Sequence, residues 1–229
     1  PVMIASFLIE AILAIFVLFK YQMNNLGRLI VITLSMLGLF QISEYFVCGG
    51  LGADSATWSR IGFVAITALP ALGMHIFFVL TSNKSRKLVT ATYATMAGFM
   101  AYFLIAPTAF AGHECTGNYV IFQIGTTPAR LYGLYYYGVL LTSMLLGYRW
   151  IIKNQKNTKF KQSVTALFIG YLVFLIPTGI ANTIKPETRA GIPSIMCGFA
   201  VIFALILALY IAPRMLKVRE KFVIPFISK

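Results

Sequence analysis

Two carboxylates, Glu10 and Glu44, sit inside long apolar stretches of this 229-residue chain. An ionisable group within a membrane-spanning helix marks a candidate functional site, because burying it costs several kcal/mol. The sequence supplies few partners for them. Arg60 opens the third apolar stretch, His75 lies near its far end, and His113 falls in the longest loop. A short turn joins the second and third stretches, which predicts that Glu44 and Arg60 form a buried ion pair; the alternative is that Glu44 serves a ligand. Glu10 has no partner in the pattern and is a candidate for a ligand or a proton. Gln41, Arg60 and Tyr136 join the two carboxylates as the expected ligand-binding residues. Cys48 and Cys115 fall toward the same membrane face, where an oxidising environment lets disulfides persist, so a bridge between them is expected to pin the long loop over the bundle.

Several chemistries are absent from the pattern. Zinc hydrolysis needs several His, Asp or Glu residues at ligand spacing, and His75 and His113 are the only histidines. The chain has no glycine-rich phosphate loop, no GxSxG and no CxxC. The last apolar stretch, IPSIMCGFAVIFALILALYIAP, carries no lysine for a retinal Schiff base. Neither an enzyme, a cofactor nor a metal is expected. His75, on a face with Thr67 and Ala71, reads as a hydrogen-bonded packing residue, and Tyr135, Tyr136 and Tyr137 as an interfacial belt.

The elements that must position these groups are membrane helices. With 59% hydrophobic and 11% charged residues and a mean hydropathy of +0.83, the composition lies outside that of soluble domains. The net charge of +13 is read as loops facing an anionic leaflet, with no nucleic acid as partner. A spanning helix takes about 20 apolar residues, and the pattern predicts seven, over about 2–19, 29–48, 58–81, 88–110, 131–152, 163–184 and 193–212. Residues 1–212 are expected to form one all-α, polytopic seven-transmembrane bundle and 213–229 a basic, amphipathic cytoplasmic tail. Pro213 is expected to end the seventh helix, Pro225 to interrupt the tail, and Pro70 and Pro177 to kink the third and sixth helices. Ser6, Glu10 and Ala14 share one face of the first helix, which points inward. In the loop 111–130, the β-prone run Tyr119 to Ile124 suggests a small hairpin lid. Fifteen of the 19 Lys and Arg residues fall on one side of this topology, which places the N-terminus outside and the C-terminus in the cytoplasm.

The run Trp58, Arg60, Pro70, in the pattern W-x-R-x9-P, followed by HIFFVL and a polar turn, resembles the third helix of the seven-transmembrane sensor region of bacterial histidine kinases and diguanylate cyclases. LGLFQISEYF is similar to that family's second helix, RLYGLYYYGVLL to its fifth and IGYLVFLIPTGIAN to its sixth. The resemblance implies a bacterial sensory input module in the plasma (inner) membrane, with an output domain after the seventh helix. Here no kinase or cyclase follows the seventh helix within the sequence, so the chain is either a fragment or a stand-alone relative.

Two function classes follow. One is a receptor-like signal-transduction module that binds a small-molecule or lipid ligand in its outer half, walled by the second, third, fifth and sixth helices. The other is a non-catalytic accessory subunit packing on a membrane-protein partner or on copies of itself in the lipid bilayer. A transporter ranks third, because no inverted repeat is visible.

Overall fold

The computed structural model describes residues 2–49, 52–82, 85–116, 120–154, 156, 158–184 and 192–219, except for the side chain of Asn182. Tyr119, Lys84, Lys185, Arg189 and the tail beyond Arg219, with Pro225, lie outside the described residues. The helices are α1 (Val2–Lys20), α2 (Asn25–Gly49), α3 (Ser55–Thr81), α4 (Arg86–Ile105), α5 (Thr126–Lys153), α6 (Lys159–Ile184), α7 (Ile192–Leu205) and α8 (Ala212–Met215). A π-helical stretch, Ile206–Ile211, joins α7 to α8. Strands β1 (Gly112–Cys115) and β2 (Val120–Gln123) form an antiparallel hairpin in which Cys115 pairs with Val120.

Six segments are long and apolar enough to cross a membrane: α1, α2, α3, α4, residues 159–181, and Ile192–Met215. The 28-residue α5 is not among them, because its tyrosines and glycines, with Arg130 and Arg149, dilute its aliphatic residues. The fold is all-α apart from the hairpin, and its composition is that of a multi-pass membrane protein.

Helix α3 is the hub. It packs against α2, α4, α5 and α6, and 78% of its apolar window is buried against 11% for α4. Small residues make this possible: a Cβ at Gly62 would lie 3.3 Å from the Ser43 side chain, so α2 and α3 meet almost backbone to backbone. Helix α1 lies on α2 and α7, and α6 on α7. Ser6, Glu10 and Ala14 are buried in that layer.

Helix ends follow local chemistry. The second helix begins four residues before the expected Leu29, because the Asn24 side chain accepts the Gly27 N–H at 2.9 Å and caps it. The Asp54 carboxylate accepts the Thr57 N–H and starts α3. Helix α4 stops at Ile105 rather than Phe110, since Pro107 disfavours helical geometry at Ala106. Pro70 and Pro177 lie inside continuous helices, each deleting one backbone N–H.

Pro213 does not end the seventh helix; helical structure continues to Met215. The π stretch immediately before it widens the turn, which relieves the clash of a proline ring with the preceding turn. Beyond α8 the chain docks on the α1–α2 connection, with the Gln22 N–H donating to Lys217 O at 2.8 Å and Arg219 N–H to Lys20 O at 3.0 Å.

Candidate functional site

The sequence candidates divide into two groups in space. The first lies where α1, α2 and α7 meet. Glu10 on α1 is 0% exposed, and a Cβ at Gly38 of α2 would lie 3.7 Å from the Glu10 Cβ. Gln41 and Glu44 follow Gly38 on α2 at three-residue steps and are 2% and 1% exposed. Glu10 and Glu44 are thus enclosed in the layer where these three helices meet, and the buried thiol of Cys197 stands on α7. Ser194, one turn before Cys197, hydrogen-bonds Glu44 Oε1. Among the described residues neither oxygen of Glu10, nor Gln41 Nε2, has a hydrogen-bond partner.

Glu44 and Arg60 do not pair. Arg60 Nη1 donates to the carbonyls of Phe103 at 2.8 Å and Leu104 at 3.1 Å, at the C-terminal end of α4. The cause is Pro107. In a continued helix residue 107 would donate its N–H to Phe103 O, and proline has none to give. The guanidinium fills that vacancy, and as a cation it is favoured at the negative end of the helix dipole. Glu44 faces away from it, toward α7.

The second group lies under the hairpin. A cleft of about 420 Å³ is lined by Phe63 and Ile66 of α3, Phe122 of β2, Tyr132 and Tyr136 of α5, and Met196 of α7, among others. Its walls differ from those expected: α7 contributes, through Ile192, Pro193 and Met196, while among the described residues none of α2 or α6 lines it. Tyr132, Tyr135 and Tyr136 are buried and not an interfacial belt. Helix α5 turns its aromatic face onto α3, where Tyr135 Oη donates to Thr67 O at 2.8 Å and Thr67 Oγ1 to Tyr132 Oη at 3.2 Å. Paired in this way, the hydroxyls lose the penalty that would keep them at the membrane surface. Below the cleft, Tyr136 and Met196 also border a gap of about 20 Å³ that reaches Cys197.

The hairpin is tied down twice at one register position. Cys115 is bonded to Cys48 with Cα atoms 5.9 Å apart, and its cross-strand neighbour Val120 exchanges hydrogen bonds with Ser194: N–H to Oγ at 3.3 Å and Oγ–H to O at 2.8 Å. Phe122 anchors the same strand in a ring cluster, its centroid 5.0 Å from Phe63 and 6.2 Å from Phe40. His75 bonds Tyr93 Oη at 3.0 Å, outside both groups.

Sequence reasoning missed Ser194, the residue that links the two groups. Its only signal was a hydroxyl next to Pro193 at a helix start, which reads equally well as a plain first-turn residue. No family model matches the chain, and no curated protein and no solved structure matches it either.

Proposed function

We propose that this chain is a seven-span sensor module of a bacterial plasma membrane, with its N-terminus outside. In this reading it binds a small or lipidic ligand in the cleft beneath the hairpin and passes a conformational change to the cytoplasmic side. The observation that carries the reading is the cleft. Its volume of about 420 Å³ falls in the range of small-molecule sites, and such sites combine aromatic walls with a few polar groups. The ring faces of Phe63, Phe122, Tyr132 and Tyr136 supply the first, and Gln123 and the tyrosine hydroxyls the second. Among the described residues that line it no side chain is charged, which favours an uncharged ligand.

Two features support the orientation. The disulfide stands at one end of the bundle, and Lys20, Arg28, Arg86, Lys87 and Lys153 cluster at the opposite end, the asymmetry of a cytoplasmic face. The seventh span is α5, whose 28 residues exceed the length a bilayer needs. For transmission, α7 is the suited element. It begins in the cleft at Ile192, continues through the π stretch, a feature frequent at functional sites, and leads to the segment docked on the α1–α2 connection.

Thermal unfolding of the purified chain in lipid nanodiscs, with and without dodecanol or monolaurin as uncharged probes, tests the reading. A ligand at a hundredfold excess over its Kd stabilises by about 2.7 kcal/mol, so the unfolding midpoint should rise. Ala129→Trp, which fills the cleft wall, should abolish the rise. No rise with either probe, or an equal rise in Ala129→Trp, would reject the cleft as the site.

One observation favours the accessory-subunit reading. Of the α4 side chains only Thr92 and Phe103 are buried, and Ala91, Ala94, Gly98 and Ala101 are exposed, a small-residue surface suited to a neighbouring helix. Cysteine cross-linking from Ala94 in native membranes would capture such a neighbour.

A further inference from the structure

The buried acids beneath the hairpin form a constellation that the cleft does not use. Glu10 is fully enclosed with neither carboxyl oxygen bonded to a described residue, and the buried Gln41 Nε2 on α2 is equally unpartnered among the described residues. Two carboxylates enclosed in this way cannot both stay ionised without a cation, since each uncompensated charge inside a membrane costs several kcal/mol. Arg60, the cation on the neighbouring α3, is committed to the α4 carbonyls. On α7 the buried Cys197 thiol follows Ser194 by one turn. From the hairpin, His113 and Glu114 stand at exposed positions of β1 and Cys115 is bonded to Cys48.

Hydrogen counting at Ser194 points the same way. Its Oγ lies within hydrogen-bond reach of three groups: Glu44 Oε1, Val120 O and Val120 N–H. A hydroxyl has one proton and two lone pairs. The Val120 N–H takes one lone pair, and the Ser194 proton serves Val120 O. The remaining lone pair can then only accept, so Glu44 must donate. With Glu44 ionised, two acceptors would compete for one proton, and the Val120 carbonyl would lose its donor.

We propose that Glu10 and Glu44 form a proton-binding site, and that Ser194 reports its occupancy to the hairpin. Loaded, Glu44 donates to Ser194 and Ser194 holds Val120. When the proton leaves toward the near, hairpin side, the Glu44 carboxylate takes the Ser194 hydrogen, and Val120 keeps its N–H bond to Ser194 Oγ but loses the one to its carbonyl. No bond other than O–H changes, and the departing proton goes to water. The site stands independently of whatever occupies the cleft.

The test uses the full chain in nanodiscs with no cleft ligand, and follows the infrared carbonyl band of protonated carboxylic acid together with amide exchange in the hairpin, normalised for intrinsic pH dependence. In the wild type the band should fade as pH rises, and hairpin exchange should speed up by as much as about tenfold, the loss of one hydrogen bond. Glu44→Gln should keep the hairpin slow at every pH, because its amide donates to Ser194 permanently. Ser194→Ala should leave the band in place and make hairpin exchange independent of pH. Glu10→Gln should remove part of the band. A wild type with no acid band at any pH, or a band that never titrates, overturns the proposal even if no variant folds. Stabilisation by sodium over potassium at equal ionic strength would assign the site to a metal cation and overturn it as well.

Discussion

The Arg60 contact makes a prediction that separates the observed geometry from an ion pair. In Arg60→Gln the carbonyls of Phe103 and Leu104 lose a charged donor. Hydrogen bonds to charged groups contribute about 1.5–3 kcal/mol, and Phe103 is 0% exposed, so water does not readily replace the guanidinium. The expected loss is therefore about 1.5–3 kcal/mol, read as a lowered midpoint of chemical or thermal unfolding in nanodiscs. Glu44→Gln should cost less than Arg60→Gln, because the amide can still donate to Ser194. The two residues share no partner, so the double mutant should equal the sum within about 0.5 kcal/mol. The origin in Pro107 adds a second arm. Pro107→Ala restores the N–H that Phe103 O lacks, so Arg60→Gln should cost less in that background. A coupling between Arg60 and Glu44 above about 1 kcal/mol, or an unchanged Arg60→Gln penalty in Pro107→Ala, would refute the reasoning.

Three further outcomes are expected. The Tyr171 hydroxyl is buried without a partner among the described residues and lies where a Cβ at Gly73 would have to go; Tyr171→Phe should be neutral or stabilising, and should relieve the roughly 1–3 kcal/mol overpacking cost of Gly73→Ala, as a double-mutant cycle would show. The disulfide closes a separation of 67 residues, for which chain entropy gives about 4 kcal/mol; Cys48→Ser should lower the unfolding midpoint, and a reducing agent should then have no further effect. Hydrogen bonds from the Thr57 side chain and backbone, with Arg60 nearby, hold the Asp54 carboxyl below its usual range. A lowered folded-state value means that the cap's contribution is complete above about pH 3.9, the ordinary Asp value, and is lost as pH falls through the folded value. Asp54→Asn should flatten that part of the acid-unfolding profile, and an unchanged profile would remove Asp54 from the account.

What could be read in the sequence followed from periodicity. Runs of about 20 apolar residues with four-residue polar spacing locate a spanning segment and its inward face, so spacing alone assigns Ser6, Glu10 and Ala14 to the core. Helix ends were harder, because single side chains decide them: Asn24 extends α2 by a turn, and Pro107 cuts α4 short. The tyrosines of α5 misled for a physical reason. Tyrosine has an apolar body and one polar tip, and whether it sits at an interface or in the core depends on whether a partner such as Thr67 waits for that tip.

Glu44 and Arg60 both lie near one short turn, yet a side chain on a helix can reach only what its face presents. The α2 face bearing Glu44 looks onto α7, which returns from 150 residues further along the chain, and no local pattern encodes that neighbour. The orphan carbonyl created by Pro107, 47 positions after Arg60, is equally remote. Both arginine and glutamate found partners in need of a hydrogen bond: a carbonyl without its helical donor, and a serine shared with the strand. Unmet backbone groups, countable once the fold is known, therefore account for the placement of both charges better than their mutual attraction does. In a bilayer, where no water competes for those groups, the same count separates the polar side chains: Arg60 is committed to the α4 carbonyls, and among the described residues Glu10 has no partner.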